Sequence, residues 1–251
     1  MNGKYLKYAI GEIVLVVIGI LIALGINSLN EERKLNIQLH EYIRNLKSEL
    51  TDQTQIIDNQ ILSESTFVEA ANFIINEYQS NKTWKFDSLF FMNATTLTYR
   101  NTFIIVDATY IDLLSSGRIG LLEKSKLKND VLSYYQEVER VEKVINYNNT
   151  LLVDQNYGQL YSEIGYYFDN TFLNTIKPKK AYPLTTQIAQ MDYGLADISQ
   201  QLIQEPKNKL SFLNAVQLRY ILAISHQQDM ITLKDETNEL IKKLTEYLEE
   251  N

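Results

Sequence analysis

The residue of this chain best placed to do chemistry is a carboxylate inside an apolar run. Glu12 interrupts Gly11 to Ile26, where every other residue is Gly, Ala, Val, Leu or Ile. An ionisable group costs several kcal/mol at the centre of a bilayer and less near its surface. Glu12 lies about one helical turn inside the longer apolar stretch that begins at Tyr8, which leaves three roles open. It can sit at headgroup level, paired locally with Lys4, Lys7 or Tyr8. It can contact a basic or hydroxyl group on a partner helix. It can relay a proton or cation in an ion-driven complex.

Other residue types with chemical potential stand in patterns that point elsewhere. His40 and His226 each lie in a helical stretch without a second ligand at metal spacing, so both are expected as surface or partly buried imidazoles. Ser115-Ser116-Gly117 reads as a glycine helix stop and not as a nucleophile turn. Glu137, Glu139 and Glu142 share one helix and are expected on a solvated face. The tyrosine pairs Tyr134/Tyr135, Tyr157/Tyr161 and Tyr166/Tyr167 either line a groove or pack the bundle with hydroxyls at its rim. No phosphate-loop, dinucleotide, zinc-protease or serine-hydrolase motif occurs. The expectation is no enzyme, no catalytic residue, no cofactor and no metal.

The element that positions Glu12 is a membrane span. Residues 8–28 form a stretch with Glu12 as its one charge, and about twenty residues cross a hydrocarbon core of about 30 Å. A cleaved signal peptide ending at Gly25 is the alternative, but the run is long for one and the residues after it continue a helical pattern. Lys4 and Lys7 before the span, against Arg33 and Lys34 with two acids after it, favour a cytoplasmic N-terminus (residues 1–7) and an exported body at 29–251. On a wheel of about 100° per residue, Glu12, Gly19, Ala23, Asn27 and Asn30 fall within roughly 80°. Gly19 and Ala23 have the small-xxx-small spacing that lets helix backbones approach, and asparagine can hydrogen-bond across such a contact. This face predicts a homo-oligomer or a partner membrane protein; the opposite Val, Ile and Leu face suits the lipid bilayer.

Composition narrows the class further. The chain has 24 Lys/Arg and 31 Asp/Glu; setting aside Lys4, Lys7 and Glu12 leaves 22 and 30 beyond residue 28, a net charge of −8. That excess of acid argues against nucleic acid as a partner. No cysteine means no disulfide and no thiolate chemistry. Nine glycines and three prolines in 251 residues leave few breakers, which predicts long helices.

The periodicity of the body agrees. Leu35, Leu39, Ile43, Leu46, Leu50, Ile57 and Ile61 mark an amphipathic helix continuing from the span to about Tyr78. Helices are expected over Trp84–Leu97, Phe103–Leu114, Leu121–Leu151 with extension to Tyr161, and Leu184–Ile203. Pro178 and Pro183 bracket a loop. Pro206 opens a last helix, whose acidic close at Glu246–Glu250 opposes the helix dipole and is expected to fray. The fold class is all-α: an N-terminal transmembrane helix followed by an antiparallel helical bundle.

The block Lys4 to Leu24, with Ile26-Asn27 and Asn30-Glu31, resembles the anchor of an uncharacterised family of single-pass proteins from Bacteroidota. Tyr110-Ile111-Asp112-Leu113-Leu114-Ser115-Ser116-Gly117-Arg118-Ile119, with Leu127 and Tyr134-Tyr135, resembles that family's second recognisable stretch. Its members usually carry Gln at the position of Gly25 and Trp at that of Leu29. The resemblance implies an inner-membrane protein with most of its mass in the periplasm, and it implies no activity. The expected role is that of an interaction or scaffold protein. A regulatory subunit acting through a partner helix, or an accessory subunit using Glu12, is the alternative.

Overall fold

A computed structural model describes residues 3–167 and 194–250, which hold helices and loops and no strand among them. The protein is all-α. Its first element, α1, is one helix from Gly3 to Asn81, about 118 Å long at ~1.5 Å per residue. No proline stands in it, and its hydrophobic pattern runs unbroken, so nothing in the sequence ends it early. From Gly11 to Ile37 the helix is exposed on every side, and Leu39 is the first buried residue after Gly11. It therefore comprises an apolar span, a bare stalk and a packed half. It stops where Lys82 turns left-handed at φ 59° and donates its N–H to Tyr78 O.

The returning helix of the bundle is α7, Pro206–Glu250, with Pro206 at its first position as the sequence predicts. It runs antiparallel to α1: Lys234 pairs with Asp58 at 2.7 Å, Gln227 Nε2 donates to Ser65 Oγ at 2.7 Å, and the rings of Tyr247 and His40 meet near the end. The acidic terminus, where fraying is expected, is helical. Helix continues to Glu250, because Tyr247 and Leu248 pack against the core and hold the last turns.

Buried positions on the two helices follow one rule. On α1, from Leu39 to Ile74, they alternate steps of four and three with Ala70 as an addition; on α7 the same steps run from Phe212 through Val216, Arg219, Ala223, His226, Met230, Leu233, Thr237 and Leu240 to Leu244, with Ala215 and Leu222 as additions. A repeat near 3.5 residues keeps a seam facing its partner along the whole length of a helix pair. Shorter elements cover the seam: α2 Ser88–Thr96, α3 Ala108–Ser115, a 3₁₀ turn Arg118–Glu123, α4 Lys128–Asn148, a π-helical stretch Asn149–Gly158, α5 Gln159–Ile164 and α6 Leu195–Gln204.

Three of these differ from the sequence expectation, each for a tertiary reason. Residues 82–87 are not helical: Trp84 folds back to donate Nε1–H to Ile74 O at 2.9 Å, and α2 begins only where Asp87 accepts the N–H groups of Leu89 and Phe90. Residues 100–107 carry no regular secondary structure because Gln53 takes their backbone, accepting from Val106 N–H at 2.7 Å and donating to Ile104 O at 3.3 Å. Glu49 then caps α3, accepting from the N–H and the hydroxyl of Thr109. The predicted helix over 121–151 is broken at Lys126, φ 61°. The glycine stop is as expected: Gly117 has φ 69° and its N–H reaches Leu114 O, while Ser116 Oγ donates to Asp112 O. The loop at Pro178 and Pro183, and the part of the Leu184–Ile203 helix before Gly194, lie outside the described residues.

The covered seam holds two hydrophobic cores. The stalk-side core joins Leu39–Ile57 and Met230–Leu244 to α3 and α4; the distal core joins Phe67–Ile74 and Phe212–Ala223 to α2 and α5. Between them lies a polar layer.

Candidate functional site

Two places carry groups whose chemistry the fold does not use for ordinary packing. The first is the small and polar face of the apolar segment of α1. Glu12, Gly19, Ala23, Asn27 and Asn30 lie on the continuous α1 helix and are all exposed. From Glu12 to Asn30 the face spans about 27 Å. A Cβ on Gly19 would meet nothing within 4 Å. Glu12 borders a shallow depression with Ile13, Val16 and Val17. The side chains of Lys4, Lys7 and Tyr8, the expected local partners of Glu12, lie outside the described residues.

The second place is the layer between the cores, and here Glu64, Arg219 and His226 are sealed from solvent at 1%, 1% and 0% exposure. Glu64 Oε1 accepts from Gln60 Nε2 at 2.9 Å and meets His226 Nδ1 at 3.3 Å. Asn148 Nδ2 approaches His226 Nε2 at 3.1 Å. With Asn148 donating, this pattern fits the tautomer that carries its proton on Nδ1, toward Glu64. Arg219 lies over the Phe67 ring, 4.2 Å from its centroid, and donates Nε–H to Leu97 O at 3.3 Å and Nη2–H to Tyr99 O at 3.0 Å. Its Nη1 stands 3.8 Å from Glu64 Oε2, beyond hydrogen-bond reach, so two buried polar atoms face each other unbonded. Desolvation lowers the pKa of Arg219, and the Glu64 carboxylate opposes that shift.

Neither Glu64 nor Arg219 is singled out by its neighbours in sequence, yet both stand in step with the apolar seam. His226 corrects the expectation of a surface or partly buried imidazole: it occupies a seam position and is fully buried. His40 is partly buried, its Nδ1 facing Asn36 O at 3.0 Å. The carboxylate–imidazole–amide chain has the order of a charge-oriented base, but its third member is Asn148, which is no nucleophile. What the layer can do is fix register, because a shift of either helix would leave a charge buried without its counterpart.

The remaining candidates resolve into structure. Tyr157 OH donates to Ala94 O, Tyr161 OH to Tyr166 O, and Tyr134 OH meets Thr237 Oγ1, so these phenols are spent inside the cores and not at a rim. Glu137 binds Arg140 and Glu139 binds Lys143, both on the outer side of α4. The π-helical stretch begins at Asn149, whose Nδ2 donates to Asn101 O at 3.0 Å. The wider turn keeps Asn149, Val153 and Tyr157, four residues apart, all buried. Among the described residues, no group of three or more His, Asp or Glu is placed to hold a metal ion.

Among the described residues one helix, near the N-terminus, is long and apolar enough to cross a membrane, and none of its apolar window is buried. No curated protein and no solved structure matches the chain. A family model does match, over residues 12–181, from Glu12 in the anchor through α5. The chain belongs to that family, a family of unknown function designated DUF6090.

Proposed function

We propose that this protein is a non-enzymatic, membrane-anchored interaction or scaffold protein of the bacterial inner membrane. Residues 1–7 lie in the cytoplasm and the helical body lies in the periplasm. The face Glu12, Gly19, Ala23, Asn27 and Asn30 meets a second copy or a partner membrane protein. The observation that carries this reading is α1 itself, an unbroken 79-residue helix that is bare from Gly11 to Ile37 and locked in the body from Leu39 onward. Any partner gripping the anchor face grips a rod continuous with the core. The bias of Lys4 and Lys7 supports the orientation.

The absence of cysteine makes the test direct. With Ala23→Cys in native membranes, oxidative or bifunctional crosslinking is expected to trap a dimer or one partner, and Gly19→Leu is expected to reduce it severalfold. An Ala23→Cys chain that crosslinks no better than Leu21→Cys on the lipid side removes the proposal. A regulatory role is the second reading, favoured by the same rod, along which a change in the body would reach the span. An ion-driven accessory role demands Glu12 itself, and a Glu12→Gln chain that supports normal growth and assembly eliminates that variant.

A further inference from the structure

Between the end of the span and the first buried residue of α1 lies a stalk from Leu29 to Ile37, exposed throughout. One part of the body descends beside it. Lys124 Nζ lies 3.4 Å from Asn36 Oδ1 and 4.0 Å from Glu32 Oε1, and Arg118 Nη1 donates to Tyr42 OH. Glu32 is four residues past Ser28 and Asn36 eight, or about 6 and 12 Å along the helix. The polar headgroup layer of a bilayer is roughly 5–8 Å deep on each side, and charge is felt across a Debye length of roughly 8 Å. The turn around Lys124 is thus within reach of the headgroups.

Its chemistry suits them. Arg118, Lys124, Lys126 and Lys128 fall within eleven residues of a chain of net charge −7. Glu123 pairs with Lys128 and Asp112 of α3 acts on Arg118, so four cations against these two acids leave the lobe with a net positive charge. Lys126 holds φ 61°, a conformation that side-chain-bearing residues rarely adopt, and it is exposed. Ile111 and Leu114, on the neighbouring α3, are 53% and 44% exposed. We propose that this lobe, Arg118–Lys128 with the outer side of α3, docks on the anionic phosphate headgroups of the bilayer that α1 crosses. The proposal rests on the anchored reading. Glu246, Glu249 and Glu250 close α7 at the same end of the body; they are repelled by the surface that attracts the lobe, so docking leans the body with its basic side down.

The test uses the full chain in vesicles of phosphatidylcholine alone and of phosphatidylcholine mixed with phosphatidylglycerol. A spin label is placed at Gly120→Cys, where a Cβ meets nothing within 4 Å. Controls are Ser80→Cys at the far end and Leu21→Cys in the span. With phosphatidylglycerol, the Gly120 label is expected to lose access to an aqueous paramagnetic relaxant severalfold, while the Ser80 label does not change. The charge reversals Lys124→Glu, Lys126→Glu and Lys128→Glu together are expected to restore that access and leave the Leu21 label in lipid. A Gly120 label equally accessible in both vesicles, or equally protected in both, overturns the docking while the Leu21 label still reports an anchored helix. A Leu21 label in water overturns the anchor, and the docking with it.

Discussion

Glu64 and Arg219 show how much one residue pair constrains this bundle. Each sits where the seam would accept a leucine, and each is kept by its partners: Gln60 and His226 for the carboxylate, two backbone carbonyls and a phenyl face for the guanidinium. Removing one member leaves the other charged and buried, at a cost of about 3–5 kcal/mol. Arg219→Met should lower stability by that amount in urea denaturation of the detergent-solubilised chain. The double change Glu64→Gln, Arg219→Met should recover most of it, because a neutral layer has no charge to compensate. A single variant costing under about 1 kcal/mol would mean that water already reaches the pair. This layer was half legible. Glu64 lies in phase with Leu50, Ile57 and Phe67, and Arg219 with Phe212 and Val216, so a count that keeps polar letters in the repeat finds both. Which residue faces which across the seam is not written in either segment, since the register of helices so far apart in sequence is set by the folded pair.

At the scale of elements, legibility follows the source of each hydrogen bond. The long helices were readable because their bonds are local and their pattern is unbroken. The start of α3 and the gap before α2 were not, because Gln53 and Glu49 of α1 hold the first backbone and the Trp84 indole ties the second back to Ile74 of α1. The stop after α3 is the opposite case, a local device. Gly117 needs its left-handed φ of 69°, whereas Gly120, two steps into the 3₁₀ turn, has neither a positive φ nor a crowded Cβ position. Gly117→Ala should therefore cost about 1 kcal/mol, the usual penalty of an L residue in that conformation. Gly120→Ala should be close to neutral. Thermal melts of the two variants side by side check the claim; equal losses would show that the turn, and not the backbone conformation, is what each glycine serves.

Across the whole molecule, the two cores share one chemical habit, the use of buried tyrosine where a bundle would ordinarily use leucine. In the stalk-side core, burial pushes Tyr134 up to about 12 and Tyr135 well above the ordinary phenol value; in the distal core, burial likewise raises Tyr157 and Tyr161. These hydroxyls are acceptors or donors in bonds that bridge elements, such as Tyr134 with Thr237 of α7 and Tyr157 with Ala94 of α2. A phenol whose folded pKa exceeds its unfolded value near 10 keeps its proton longer in the native state. Its contribution to stability is whole below pH 10 and is lost as pH climbs through the raised value, about 12 for Tyr134. Both cores therefore carry the same alkaline weakness. Raising the pH of the detergent-solubilised chain from 9 to 13, about one unit either side of that window, should give tyrosinate absorbance from the core rings in step with the loss of helical circular dichroism. Helix that persists after every tyrosine has ionised would show that these rings are open to solvent, and the packing described for both cores would be wrong.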